Sequence, residues 1–181
     1  MTTFYALLAT QTLSLVGSRM SSVGVGIWVF ARTGDATPLL LAAFFTELPG
    51  MLLGSLAGVW IDRWDRRRVL LLADAGQALG TALLLLSFTS GAFELWHLYA
   101  VALVQGGFAL FQGPAKDAAT TMLVPAARRD RANALQQMAF PLAGALAPAL
   151  AGAVYAAAGV VGVIAVDLAT FAVAVGVLLA V

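Results

Sequence analysis

The sequence predicts an all-α membrane protein, with six transmembrane helices packed as one bundle across residues 1–181. Three observations carry that expectation. Hydrophobic residues make up 61% of the chain and charged residues 10%, against roughly 25% charged in an ordinary soluble domain. The mean hydropathy is +0.93, so a water-soluble globule of this size would leave too much apolar surface exposed. Apolar stretches long enough to cross a hydrocarbon core, about 20 residues for ~30 Å, recur between short polar breaks.

The first span is expected at 4–31. Its opening, MTTFYALLATQTLSLVGSRM, has no basic residue before Arg19 and stays apolar past it, which does not fit a cleavable signal peptide. The polar run RTGDATP closes it. The second span, 38–61, ends at DRWDRRR, giving a loop at 62–68. The third, 69–88, ends at SGAFE, and the fourth, 95–112, is followed by the longest break, 113–131, containing KDAATTMLVPAARRDR. The fifth and sixth spans, 132–158 and 160–181, are parted only by a glycine turn at Gly159. Trp60, Trp64 and Trp96 fall at span ends, where an indole buries its ring and keeps its N–H wet. The 18 glycines suit close backbone approach in lipid.

Charge placement orients the bundle. Of the 10 lysines and arginines, Arg63, Arg66, Arg67, Arg68, Lys116, Arg128, Arg129 and Arg131 lie in the breaks 62–68 and 113–131, which share one side of the membrane. Positive-inside asymmetry makes that side cytoplasmic, and both termini then lie there. The formal net charge of +1 offers no field to draw nucleic acid. With no cysteine and one histidine, His97, thiol catalysis and a Cys/His metal site are excluded. His97 itself reads as a wet interfacial residue. There is no G-x-x-x-x-G-K-[ST] loop for a nucleotide. No catalytic residue, metal or cofactor is therefore expected, and the chain does not read as an enzyme.

Four charges, Arg19, Glu47, Asp74 and Asp167, fall inside the expected spans. An ionised side chain there costs about 2.5 to 3.5 kcal/mol and needs a partner, water or a proton. Arg19 and Glu47 lie at similar depths on consecutive spans, roughly 18 Å and 14 Å from the outer boundary at 1.5 Å per residue. Two readings of them stand open: Glu47 as a proton carrier tuned by burial and by Arg19, or a permanent structural ion pair. Gln11, Ser14, Ser18 and Ser22 form a polar stripe on the first span with Arg19 on its flank, and the stripe should face a water-filled cavity. Gln105 and Gln112 are one heptad apart, share a face of the fourth span and are candidates to line a path. Asp74 reads as a structural contact for the loop charges. Asp167, with Thr170 one turn on, reads as a helix-to-helix hydrogen bond or as a second protonation site.

The second break carries the most specific motif. In GVWIDRWDRRRVL, residues Gly58, Asp62, Arg63, Arg66 and Arg67 stand where the major facilitator superfamily carries a glycine, an aspartate, an arginine and a basic pair, and the chain resembles that family here. Asp65 stands where the family usually has a second glycine. The resemblance implies a cytoplasmic gate: Asp62 faces the positive end of a neighbouring helix, and Arg66 reaches a carboxylate on another span, for which Asp117 is the candidate. For Arg67 and Arg68 the alternative is that they only enforce topology and solubilise the loop. In the fifth span, PLAGALAPALAG sets Gly144, Ala147, Pro148, Ala151 and Gly152 at small-residue spacing, similar to the family's glycine-proline motif of exporters. A helix face kept small for packing accounts for it equally well. The wider pattern, including QTLSLVGSRMSSVGVGIWVF and FQGPAKDAATTMLVP, resembles the branch that holds macrolide-efflux proteins and siderophore exporters.

That resemblance implies a secondary active transporter, a proton-coupled exporter of amphipathic small molecules in a bacterial inner membrane, present as its N-terminal half. The partners it implies are the lipid bilayer, a small-molecule substrate, protons and a second six-helix bundle, from a missing C-terminal half or another chain. Val181 closes the apolar run VGVLLAV with no basic anchor, which reads as a cut chain. The competing expectation is a half-length membrane module or truncated product that transports nothing alone, since alternating access needs two bundles.

Overall fold

The computed structural model describes residues 2–61 and 64–180. Among these are five α-helices and one 3-10 turn: α1 (Thr2–Thr33), α2 (Thr37–Ile61), α3 (Arg66–Thr89), α4 (Leu95–Leu123), the turn Ala126–Arg128, and α5 (Arg129–Ala180). Of the loop motif, Gly58 falls in the last turn of α2, while Asp62 and Arg63 lie outside the described residues.

The fifth and sixth expected helices join end to end at Gly159 as the two arms of α5, a stretch of 52 residues with no loop between them. Straight, it would run about 78 Å at 1.5 Å per residue. It is broken at Gly159, whose φ of 65° and ψ of −168° belong to glycine alone. The packing shows that the chain reverses there. Ala132, early in the first arm (129–158), clusters with Phe4 of α1, and Leu178, late in the second arm (160–180), packs with Leu7. Val160 and Ile164, just past the turn, meet Val25 and Val29 near the other end of α1. The two arms are therefore antiparallel.

The expected loop at 113–131 is also corrected. Helix α4 continues through Gly113 and Pro114 to Leu123, and α5 begins at Arg129. Apolar length marks where a span leaves the hydrocarbon, but not where its helix stops. Ala115 is fully buried and clusters with Val69 and Leu70 of α3, and that packing outweighs the hydrogen bond lost at Pro114. Arg129 closes α4 by donating Nε to the Val124 carbonyl at 3.2 Å and Nη2 to the Thr121 carbonyl at 2.9 Å. Helix α3 likewise starts at Arg66 rather than 69, because Asp65 caps it: the Arg68 N–H donates to Asp65 Oδ1 at 3.0 Å. The departure from the family's glycine at this position thus supplies an N-cap. At the opposite end, Asp35 accepts the Thr37 N–H at 2.9 Å and caps the entry to α2. That bond holds its carboxyl below the ordinary carboxylate range.

Helix α1 packs chiefly on α5, α3 bridges α5 and α4, and α4 carries α2, which barely touches α1. The α2/α4 crossing is close because Gly106 has no side chain; a Cβ there would overlap the Thr46 carbonyl oxygen. Burial is inverted relative to a soluble protein. Asp74 and Asp167 are 0% and 1% exposed, whereas Leu40 and Met51 are 70% and 76% exposed. Only a lipid solvent rewards that arrangement. By length and composition, four of the helices, α1, α2, α3 and α5, are apolar enough to cross a membrane.

Candidate functional site

Three helices carry polar residues seven positions apart: Gln11 and Ser18 on α1, Asp74 and Thr81 on α3, Gln105 and Gln112 on α4. Seven residues bring a helix back to the same face about 10 Å along its axis. Because α4 runs antiparallel to α1 and α3, the six side chains sort into two polar layers inside the bundle.

The layer nearer the arginine-rich end is built on Asp74. Gln11 donates its amide to Asp74 Oδ2 and Gln112 donates to Oδ1. Gln112 Nε2 also reaches Gln11 Oε1 at 3.3 Å, closing a triangle across α1, α3 and α4. Lys116 stands one turn beyond Gln112 on α4, with Asp117 next to it in sequence. Lys116 and Gln11 line a cleft of about 500 Å³ that also holds Asp117, Asn133, Gln136 and Gln137.

The second layer is built on Asp167 of the second α5 arm. Its Oδ1 accepts the Ser18 hydroxyl at 3.0 Å and its Oδ2 accepts the Thr81 hydroxyl at 3.2 Å. Gln105 supports Thr81 by donating to its Oγ1 at 3.0 Å. Asp167, Ser18 and Gln105 line a second cleft, about 380 Å³, with Ser21 and Ser22 further along α1. Apolar clusters bound the layers at both ends: Val25, Val29, Leu84 and Ile164 beyond Asp167, and Val69, Leu70, Ala115 and Leu178 beyond Asp74.

The structure gathers Gln11, Ser18, Gln105, Gln112 and Asp167 into these layers, and leaves Ser22 exposed on the rim of the second cleft. It does not join Arg19 to Glu47. The Arg19 guanidinium lies 3.8 Å from the centre of the Phe140 ring on α5, and Glu47 is exposed on α2. The reason lies in the packing order, since α1 faces α5 and scarcely meets α2. Arg66 is half-buried and Asp117 is exposed; no hydrogen bond or ion pair links them among the described residues. Arg67 instead ties α3 to the end of α5, donating Nε to the Leu178 carbonyl at 2.9 Å and Nη2 to the Leu179 carbonyl at 2.8 Å. In the glycine-proline segment, Ala143, Ala147 and Ala151 form the buried face, whereas Pro148 and Gly152 are exposed. Gly144 borders Arg19. His97 accepts the Glu94 N–H at Nδ1, 3.0 Å, and so caps α4.

The sequence does not single out Thr81, and it offers Lys116 only as a loop charge and Asp74 only as a contact for such charges. A signal was available, since Asp74 and Thr81 repeat the seven-residue spacing of Gln105 and Gln112. Among the described residues no group of three His, Cys, Asp or Glu side chains is placed to hold a metal.

Lipid-facing helices around buried, hydrogen-bonded carboxylates define an integral membrane protein with a polar interior. Residues 4–181 match the Major Facilitator Superfamily, and the chain belongs to that family of membrane transporters, not to an enzyme family. It is 27% identical over 165 residues to macrolide efflux protein A of Streptococcus pyogenes, covering 91% of this chain and 40% of that protein. It is 30% identical over 167 residues to the uncharacterized MFS-type transporter YfiS of Bacillus subtilis (strain 168), covering 91% of this chain and 39% of the relative. An uncharacterized MFS-type transporter of Mycobacterium tuberculosis is 34% identical over 125 residues, 67% of this chain and 28% of its own length. The chain thus spans about two fifths of the length of the first two of these relatives.

Proposed function

We propose that the chain is the N-terminal six-crossing bundle of a proton-coupled exporter of amphipathic small molecules, of drug or siderophore type. The observation that carries this reading is Asp167, 1% exposed, held by two hydroxyls at the floor of a cleft. A hydroxyl can donate to a carboxylate or accept from a carboxylic acid. The site therefore suits a group that gains and loses a proton, and an arginine partner would have locked it ionised. Protonation from the outer cleft and release of cargo would bias the same two-state bundle in opposite directions.

In this reading the six crossings are α1 to α4 and the two arms of α5, and the arginine-rich end faces the cytoplasm together with both termini. Gly58, Asp62, Arg63, Arg66, Arg67 and Asp117 belong to the cytoplasmic gate. Gln11, Ser18, Arg19, Ser22, Glu47, Gln105, Gln112 and Asp167 border the path, with Glu47 at its rim. Gly144, Pro148 and Gly152 leave room for close helix approach. A second six-helix bundle completes the path, because rocking two bundles is what alternates access.

The test is macrolide efflux from cells expressing the native protein, with and without a protonophore. Wild type should lose efflux when the proton gradient collapses, and Asp167→Asn should show little efflux in either condition. Protonophore-insensitive efflux by wild type would overturn proton coupling.

A further inference from the structure

We infer that Asp74 is a second proton-binding site, one layer below Asp167 and loaded from the cytoplasmic cleft, so that the bundle carries two protonatable carboxylates in series. This rests on the proton-coupled reading and adds to it a separate site with its own access route.

Geometry carries the inference. Asp74 is 0% exposed and is held by two side-chain amides, Gln11 on Oδ2 and Gln112 on Oδ1. An amide that donates its N–H to a carboxylate can turn about its last torsion and present its carbonyl to a carboxylic acid. The two glutamines therefore serve both protonation states without moving a helix, as Ser18 and Thr81 do for Asp167. Burial of a bare carboxylate among apolar helices is costly, so a partner set that tolerates either state is the useful one for a site that cycles.

Access is equally specific. Gln11, which holds Asp74, and Lys116 both line the cleft of about 500 Å³ at the arginine-rich end. The charged groups facing Asp74 are few. On α4 there is Lys116, with Asp117 beside it. On α1 the facing group is Gln11, which is uncharged. On α5 the buried carboxylate is Asp167, in the other layer; on α3 itself, Arg66 and Arg67 lie about two turns toward the helix start. Water entering the cleft would solvate the ionised form of the carboxyl, and its withdrawal would favour the neutral one. A proton arriving from a hydronium ion in that water adds to a carboxylate oxygen of Asp74 and leaves by the same route.

Infrared difference spectroscopy of the native protein in lipid, between acid and alkaline pH, reads the carbonyl stretch of protonated carboxyls directly and needs no cargo. Two bands are expected in wild type, one lost in Asp74→Asn and the other in Asp167→Asn. Should Asp74→Asn fold poorly, Asp74→Glu keeps the test open, since it should shift its band and leave the Asp167 band in place. A spectrum unchanged by either Asp74 substitution, with a band lost in Asp167→Asn, overturns the Asp74 site and leaves proton coupling at Asp167 intact. No titrating carboxyl band in wild type overturns both.

Discussion

Thr81 donates to Asp167 at 3.2 Å while its own oxygen accepts the Gln105 amide at 3.0 Å, so one hydroxyl joins α3, α4 and α5. Removing it strands two buried partners at once. Thr81→Val, which keeps the shape, should cost about 1 to 3 kcal/mol, read as a lower melting temperature of the purified protein. Thr81→Ser should recover most of that loss. Equal melting of Thr81→Val and wild type would show that the layer contributes nothing to stability.

The two carboxylates expected to sense protons from sequence differ sharply in setting. Asp167 is buried and hydrogen-bonded, and Glu47 is exposed with Arg19 engaged elsewhere. In efflux measured against external pH, Asp167→Asn should flatten the profile, whereas Glu47→Gln should keep its shape and at most change its amplitude. A flat profile for Glu47→Gln would return the proton-carrier role to α2.

Adjacent glycines on α4 give a matched pair. A Cβ at Gly106 would overlap the Thr46 carbonyl oxygen, while one at Gly107 meets nothing within 4 Å. Gly106→Ala should therefore destabilise by about 1 to 3 kcal/mol through overpacking. Gly107→Ala should be neutral or slightly stabilising. Thermal unfolding of both variants side by side checks the α2/α4 crossing without reference to transport.

Asp65 offers a third stability test. As the N-cap of α3, its replacement by alanine should cost about 1 kcal/mol, while glycine, the residue usual at this position in the family, should cost only a few tenths. An alanine variant as stable as wild type would mean that the cap is not what holds the start of α3.

Much of the fold was legible because lipid imposes a simple rule. A helix that crosses it must be long and apolar, so the runs beginning near Phe4, Pro38 and Val69 and the turn at Gly159 stood out in one dimension. The start of α3 at Arg66 and the extension of α4 to Leu123 did not, since a cap and tertiary packing set those ends rather than hydropathy. The site was legible residue by residue but not as partners. Gln11, Gln105, Gln112 and Asp167 were visible as polar side chains in apolar helices. Their grouping depends on how far each helix slides along its neighbour, which no single span encodes. Arg19 and Glu47 illustrate the error that follows: equal depth suggested a pair, but α1 turns that face to Phe140 of α5.

The most direct test of proton coupling at Asp167 is gradient-driven accumulation of a radiolabelled macrolide in proteoliposomes holding the native protein. With an imposed pH gradient, wild type should accumulate the macrolide above its equilibrium level, and Asp167→Asn should only equilibrate it down its own gradient. Accumulation by Asp167→Asn equal to wild type would contradict the account.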